Sequence, residues 1–468
     1  MNTQIMKAAS LTELGLSAQP ILDFMEQHQK LGLHALAVVR GHKVFTLSVK
    51  PYKDSFPHTL FSLSKSFCSM AAGIAVGEGL LSYDDKLTEV MKDELPETYD
   101  KALDQITLHH LLSMSSGLDE RSDHEIRSSL DWVKAALSYP LKRKPGTTFH
   151  YNTMGTYLAG RMVSKRAGQT LRDYLQPRLF DKIGIAKPQW DCCPLGHNTG
   201  GFGLHLSVLD IARAGRLLLD DGLVNGERVL PEEYLKRATV KQIDNRNPEE
   251  KDPYPDWSQG YGYQYWMSRH GRYRGDGMYG QVMMVDQQNK LCLCVTAGTN
   301  LMGDELDAIH TAMNQLVKLP PDAAADKALA KKMNTYEIKA PADKGEAVTL
   351  EGTYLHKDGR TLRLETPDDK SLRVFLRYPD HDFTLAFTFC RGDKPHHGEF
   401  FSFAKGERPQ GYEGRFGVSR GVVTAQAVMK EAPYQVNLKI SPQKNGIKVT
   451  SDSIGPDSGT WHFEKVGA

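Results

Sequence analysis

A chain of 468 residues exceeds what one ordinary hydrophobic core accommodates, so two domains are expected. Hydrophobic residues at 40% and charged residues at 25% exclude both a disordered polyelectrolyte and a membrane-embedded protein. Lys and Arg (58) and Asp and Glu (57) nearly cancel to a formal charge of +1, which gives no electrostatic reason for a nucleic-acid or anionic-membrane partner and favours a small-molecule substrate.

The opening MNTQIMKAASLTELGLSAQPILDFMEQHQ has no basic segment followed by an apolar run, and no stretch of the chain approaches membrane-spanning length. A cytoplasmic location is expected. The six cysteines (Cys68, Cys192, Cys193, Cys292, Cys294, Cys390) follow no disulfide or zinc spacing, in keeping with a reducing compartment. Cys292 and Cys294 sit two apart on an apolar strand and are read as core packing.

In chain order, His34 to Ser48 gives two β-rich runs around Gly41, a hairpin. From Ser62 to Gly77 the spacing of Phe67, Met70, Ala71, Ile74 and Ala75 predicts a buried helix that begins at Ser62 and ends in a GEG breaker. Helical patterns recur at Leu108–Ser115, Leu130–Ser138, Thr156–Ala167 and Val208–Leu219, separated by Gly/Pro loops. QVMMVDQQNKLCLCVTAG then reads as two strands joined at Gln287–Asn289. Strands, then helices, then strands indicate an α+β fold rather than alternating βαβ units.

At Leu319 the composition shifts to PPDAAADKALAKK, which suits a connecting segment or a short exposed helix. Beyond it come period-two runs: Leu372, Val374, Leu376; Phe383, Leu385, Phe387, Phe389; Tyr434, Val436, Leu438, Ile440. The division expected is residues 1–318, a linker at 319–345, and an all-β sandwich or barrel at 346–468. Arg360, Arg363, Arg373, Arg377 and Arg391 in that tail read as solvated strand faces.

Ser62-Leu63-Ser64-Lys65 matches S-x-x-K. Three residues apart on a helix, lysine and serine share a face, so Ser62 can attack while Lys65 takes or steers its proton. The lysine works near neutral pH only where desolvation or nearby cations favour its neutral form, as an apolar helix in a packed core does.

FSLSKSF entering an Ala/Gly-rich helix, ITLHHLLSMSSGL at Ile106–Leu118 and PGTTFHYNTMGTYLAG at Pro145–Gly160 follow one another in an order that resembles the serine β-lactamase and penicillin-binding-protein-like family, in its class C β-lactamase, esterase and 6-aminohexanoate-oligomer hydrolase branch. The likeness spans roughly residues 20 to 315. It implies a helical subdomain beside an antiparallel sheet flanked by helices, an acyl-serine route, and no metal or cofactor. It places the family's Tyr-x-Asn on Tyr151-Asn152-Thr153, with Tyr151 as base or proton relay and Thr153 in place of the final, substrate-facing Asn. The third motif falls on Gly275-Asp276-Gly277-Met278-Tyr279-Gly280-Gln281, whose likeness implies that Asp276 and Gly277 line the substrate and that the Met278 N–H joins that of Ser62 as the oxyanion hole. The family's Lys or His is missing there, which favours esters and small amides over carboxylate-bearing lactams; Arg272 and Arg274 leave an anion site open.

Gly275–Gly280 also spells G-x-G-x-x-G, but it leads into a strand, the wrong context for a dinucleotide. The glycines of Gly200–Gly222 are expected to serve backbone turns only. His109-His110 and His396-His397 carry no metal spacing and are read as packing or solvated side chains. Two alternatives stay open: a β-lactamase, D,D-peptidase or D-aminopeptidase of the same fold, and a binding protein that keeps the fold without turnover.

Overall fold

Leu33–Arg40 and Lys43–Ser48 pair antiparallel, with Arg40 opposite Lys43 and Ala35 opposite Ser48. Gly41 takes the first position of the two-residue turn at φ +56°, which a side chain would resist. In this computed structural model, which describes residues 5–27, 29–119, 123–246, 255–348, 350–379, 384–400, 409–454 and 458–466, the hairpin supplies two strands of a seven-stranded sheet. Met6–Lys7 pairs parallel with Lys43–Ser48 at one edge, and the other four strands come from far along the chain: Leu291–Ala297 pairs with Leu33–Arg40, followed by Gln281–Asp286, Arg272–Gly277 and Trp266–Ser268, these four antiparallel. Both expected C-terminal strands are present, joined at Gln287–Lys290. Every residue of both is buried, because the sheet is covered rather than half-solvated.

Helix Val208–Leu219 packs on that sheet, and its Gly215 permits close approach, since a Cβ there would lie 2.5 Å from Cys292 Sγ. Cys292 and Cys294 share the strand face, their sulfurs 3.6 Å apart and buried, so they pack as small hydrophobes. Helix Ser64–Gly77 runs through the interior with Ser64 to Ala75 all buried, against Thr153–Ala167 and against Tyr234, whose ring fills the place of a side chain at Gly73. A small sheet of His58–Thr59, Leu204–Leu206 and Gln189–Trp190 lies at its entry.

One sequence expectation is corrected at this point. The α-helix begins at Ser64; Ser62 sits in a 3₁₀ turn, Phe61–Leu63, preceded by Phe61 at φ +48°. A 3₁₀ turn leading into an α-helix keeps residues three apart aligned, so Lys65 still faces Ser62.

Two compact units emerge. The first comprises Met1–Ser48, Lys53–Ala297 and Leu301–Thr335; the second comprises Tyr336–Ala468 with Val49–Tyr52 and Gly298–Asn300. Within the first, the Ala/Lys-rich stretch expected as a connector or a short exposed helix forms helix Ala323–Thr335, which packs on helix Gln19–Gln27 and buries Ala325 and Leu329.

The second unit is a ten-stranded antiparallel meander in which the first strand, Gly352–His356, pairs with the last, Ser458–Lys465. A short parallel contact, Cys390 opposite Arg415 and Arg391 opposite Phe416, closes the ring into a barrel. Leu372, Val374, Leu385, Phe387, Phe389 and Ile440 are buried, while Leu376, Tyr434, Val436 and Leu438 are half-buried against them; Phe383 lies outside the described residues. Arg363 and Arg373 flank Glu365 on the solvent side, whereas Arg391 is largely covered and pairs with Asp343. Among the described residues, no helix is long and apolar enough to cross a membrane.

Candidate active site

Ser62 is half-buried, so its hydroxyl remains reachable, while Lys65 one turn on is only 1% exposed. Lys65 Nζ lies 3.1 Å from Ser62 Oγ, 3.3 Å from Thr153 Oγ1 and 2.9 Å from the carbonyl of Gly201. Three acceptors match the three N–H bonds of an ammonium, which fixes the terminal atom in direction as well as position. The same Nζ···Oγ distance lets a proton pass from serine to lysine in a state where the amine is neutral.

Each partner is held by local structure. Ser64, between Ser62 and Lys65, accepts from the backbone N–H of Leu204 at 3.1 Å and ties the turn to the small sheet. Asn152 caps helix Thr153–Ala167 by accepting from Gly155 N–H at 2.6 Å, which places Thr153 at the first helical position beside Lys65. Gly201 abuts Thr153 so closely that a Cβ would stand 2.9 Å from its methyl, and its carbonyl thereby meets Lys65. This corrects the turn-only reading of that glycine stretch. Thr153, expected to face substrate, has its hydroxyl on Lys65 instead.

Tyr151 is half-buried and presents its ring to Lys65, with Nζ 4.8 Å from the centroid. The same ring stacks on Trp266 at 5.3 Å and 17°, and Tyr261 and Phe149 meet Trp266 edge-on. The guanidinium of Arg274 lies over Trp266 at 5.8 Å and over Trp257 at 5.2 Å. Nothing in the motifs marked this aromatic wall, since Phe149, Tyr261 and Trp266 share no spacing.

The strand Arg272–Gly277 pairs with the strand that carries Trp266, which stands opposite Arg274. A Cβ on Gly277 would lie 2.1 Å from the carbonyl of Leu60 and 3.1 Å from the amide N of Ser62, so only glycine lets the strand edge close on the nucleophile turn. Gly277→Ala is expected to push strand and turn apart and to lower kcat on an activated ester about a hundredfold, read by steady-state kinetics beside a melting curve. Met278 follows with its side chain 54% exposed; next, Tyr279 at φ +64° sets its ring edge-on against Phe61 at 5.4 Å. Two non-glycine residues at positive φ flank the same opening, the kind of backbone strain that clusters at functional sites. Gly275–Gly280 thus spans a strand end and a hairpin turn, not a phosphate loop.

The carboxylate expected to line the substrate is engaged elsewhere. Asp276 is 6% exposed and accepts from Arg274 Nε at 2.9 Å; Arg274 also reaches Asp256 O and Ser268 Oγ. Arg272 is bound to Asp286, His310 and Asn314. Both arginines are buried and committed, which removes the anion site their proximity left open. The pair His109-His110 serves structure: His109 Nδ1 is 2.7 Å from Tyr263 OH, and His110 accepts from Thr107 N–H.

A buried S-x-x-K lysine on its serine, a glycine strand edge against the same serine, and an antiparallel sheet flanked by helices define a serine hydrolase of the β-lactamase type. The β-lactamase family model matches residues 18–317, and the chain belongs to that family. It is 24% identical to 6-aminohexanoate-dimer hydrolase of Paenarthrobacter ureafaciens over 309 residues, 60% of this chain and 76% of that protein. With lovastatin esterase of Penicillium rubens it shares 33% identity over 159 residues, 28% of this chain and 39% of the esterase. Among solved structures, EstCE1, a hydrolase with promiscuous acyltransferase activity, superposes with a TM-score of 0.53 at 16% identity, covering 64% of this chain and 98% of that one, which shows a shared fold.

Proposed function

We propose that the protein hydrolyses esters or small amides of uncharged acyl groups through an acyl-Ser62 intermediate. The observation that carries the reading is Lys65 Nζ at 3.1 Å from Ser62 Oγ, with the backbone of Gly277 pressed against the same turn. Ser62 Oγ attacks the acyl carbon as its proton passes to the Lys65–Tyr151 pair. The N–H groups of Ser62 and Met278 receive the oxyanion. The carbonyl re-forms, the C–O or C–N bond breaks, and the alcohol or amine leaves with the proton; water then attacks the acyl-serine by the same path and restores Ser62. Asp276 in its ion pair is assigned to holding the strand rather than to contacting substrate.

Burial and internal pairing of Arg272 and Arg274 support the uncharged acyl group, and the Tyr151–Trp266 wall suits an apolar one. The test compares p-nitrophenyl butyrate with a chromogenic cephalosporin and a peptide ending in D-Ala-D-Ala. Turnover of the ester with at least about a hundredfold lower kcat/KM on the two carboxylate-bearing substrates is expected. The reverse order would assign the protein to the lactam- or peptide-directed members of the fold, and no turnover with any of them would favour a binding role.

A further inference from the structure

Glu305 lies in the first turn of helix Met302–Leu316 and is 1% exposed. Neither of its carboxyl oxygens has a hydrogen-bond partner among the described residues. An unpaired buried carboxyl is destabilising, so its position calls for a reason. What it touches is the turn after Gly277. A Cβ built on Gly280 would stand 2.6 Å from each Oε, so the backbone of Gly280, at φ +89°, rests directly on the carboxyl. The turn is also held by Gly280 N–H donating to Gly277 O at 3.2 Å, by Gln281 Nε2 donating to Met278 O at 3.2 Å and to Ala297 O at 2.9 Å, and by the Tyr279 ring against Phe61.

We propose that Glu305 is a positioning residue for the oxyanion side of the active site, acting through the Met278–Gly280 turn that it underlies. The inference rests on the hydrolase reading above. Burial first, and the Asp276 charge second, push the Glu305 carboxyl up to about 8, so at neutral pH the turn sits on an uncharged acid. From the strand side the groups facing it are Asp276 and, bonded to Asp276, Arg274; on its own helix Asp304 is exposed. Losing the proton places a second anion beside Asp276 and beneath the N–H that meets the developing oxyanion, where like charge opposes the reaction.

The test is the pH profile of kcat/KM for p-nitrophenyl butyrate with wild type and Glu305→Gln. The wild type is expected to lose activity above pH ~8, by about tenfold per unit. Glu305→Gln, which cannot ionise, should stay within about threefold of wild type at pH 7 and remain active at pH 9, with the difference in kcat rather than KM. An alkaline limb unchanged in Glu305→Gln, or an effect confined to KM, overturns the proposal. A second readout needs no activity. A carboxyl raised from 4.5 to about 8 in the folded state binds its proton more tightly there, so the stability it contributes is full below about 4.5 and is lost as pH rises to about 8. The difference in melting temperature between Glu305→Gln and wild type should therefore widen across that window and level off above it; a constant difference overturns the proposal. If the variant does not fold, the slope of the wild-type melting temperature between pH ~7 and ~8, above the range in which the buried His34 and His58 raise stability with pH, decides: a fall supports the proposal and a flat profile overturns it. Labelling of wild-type Ser62 by a fluorophosphonate at pH 7 separates the two levels. Labelling with an unchanged limb refutes the role of Glu305 alone, and no labelling refutes the hydrolase reading as well.

Discussion

Ser62→Ala is expected to abolish fluorophosphonate labelling and to lower kcat/KM for p-nitrophenyl butyrate by at least about a thousandfold, with little change in melting temperature. The loss is large because the substitution removes the atom that forms the covalent bond; the remaining donors can still bind substrate but have nothing to stabilise. Stability should hold because the turn is fixed by other groups, namely Ser64 on Leu204, Leu63 in the core and the Gly277 edge. Lys65 also keeps two of its three oxygen partners, Thr153 and Gly201. Intact-mass spectrometry and ester kinetics check both halves. Retention of more than about a tenth of the activity, on the scale of losses seen when nucleophiles are removed, would move the chemistry to another residue.

Lys65→Met should be nearly as severe, about a thousandfold in kcat with KM little changed, because methionine fills the same buried channel but can neither take nor return a proton. Unlike Ser62→Ala, it should alter folding measurably. The carbonyl of Gly201 loses its donor inside the protein, a loss on the order of 1–3 kcal/mol that offsets the relief of no longer burying an ammonium. Kinetics with a melting curve checks this. A Lys65→Met enzyme within tenfold of wild type would transfer the proton-moving role to Tyr151 alone.

The residues that act through side chains at short spacing were legible in the sequence. Ser62 and Lys65 stand three apart, and Tyr151 and Gly277 lie in motifs that a known family arranges in the same order. The all-β character of the tail was legible as well, though not the choice of barrel over sandwich, since alternation along Ser371–Arg377 and Thr384–Arg391 is what a strand with one covered face requires. Three features were not. Lys65 meets Gly201 through a backbone carbonyl, which every residue has and no pattern announces. The Tyr151–Trp266 stack joins residues 115 positions apart with no periodicity between them. Glu305 looks like an ordinary acidic residue in a first helical turn, where acids are favoured on the surface; only its burial beneath Gly280 sets it apart. The helix at Ala323–Thr335 shows the same weakness, because a polar Ala/Lys composition fits a linker and a surface helix equally well until Leu329 is seen to be covered.

Strand Leu33–Arg40 waits for a neighbour that is made last. Its partner is Leu291–Ala297, and the barrel likewise joins Gly352–His356 to Ser458–Lys465. During synthesis, therefore, the serine-bearing segment leaves the ribosome more than two hundred residues before the sheet that completes its surroundings. For that interval the growing chain holds an exposed strand edge and no working nucleophile. The enzyme is thus silent toward acyl compounds until most of its first unit exists, and a truncated product ending before Leu291 should carry the full serine motif and remain chemically inert.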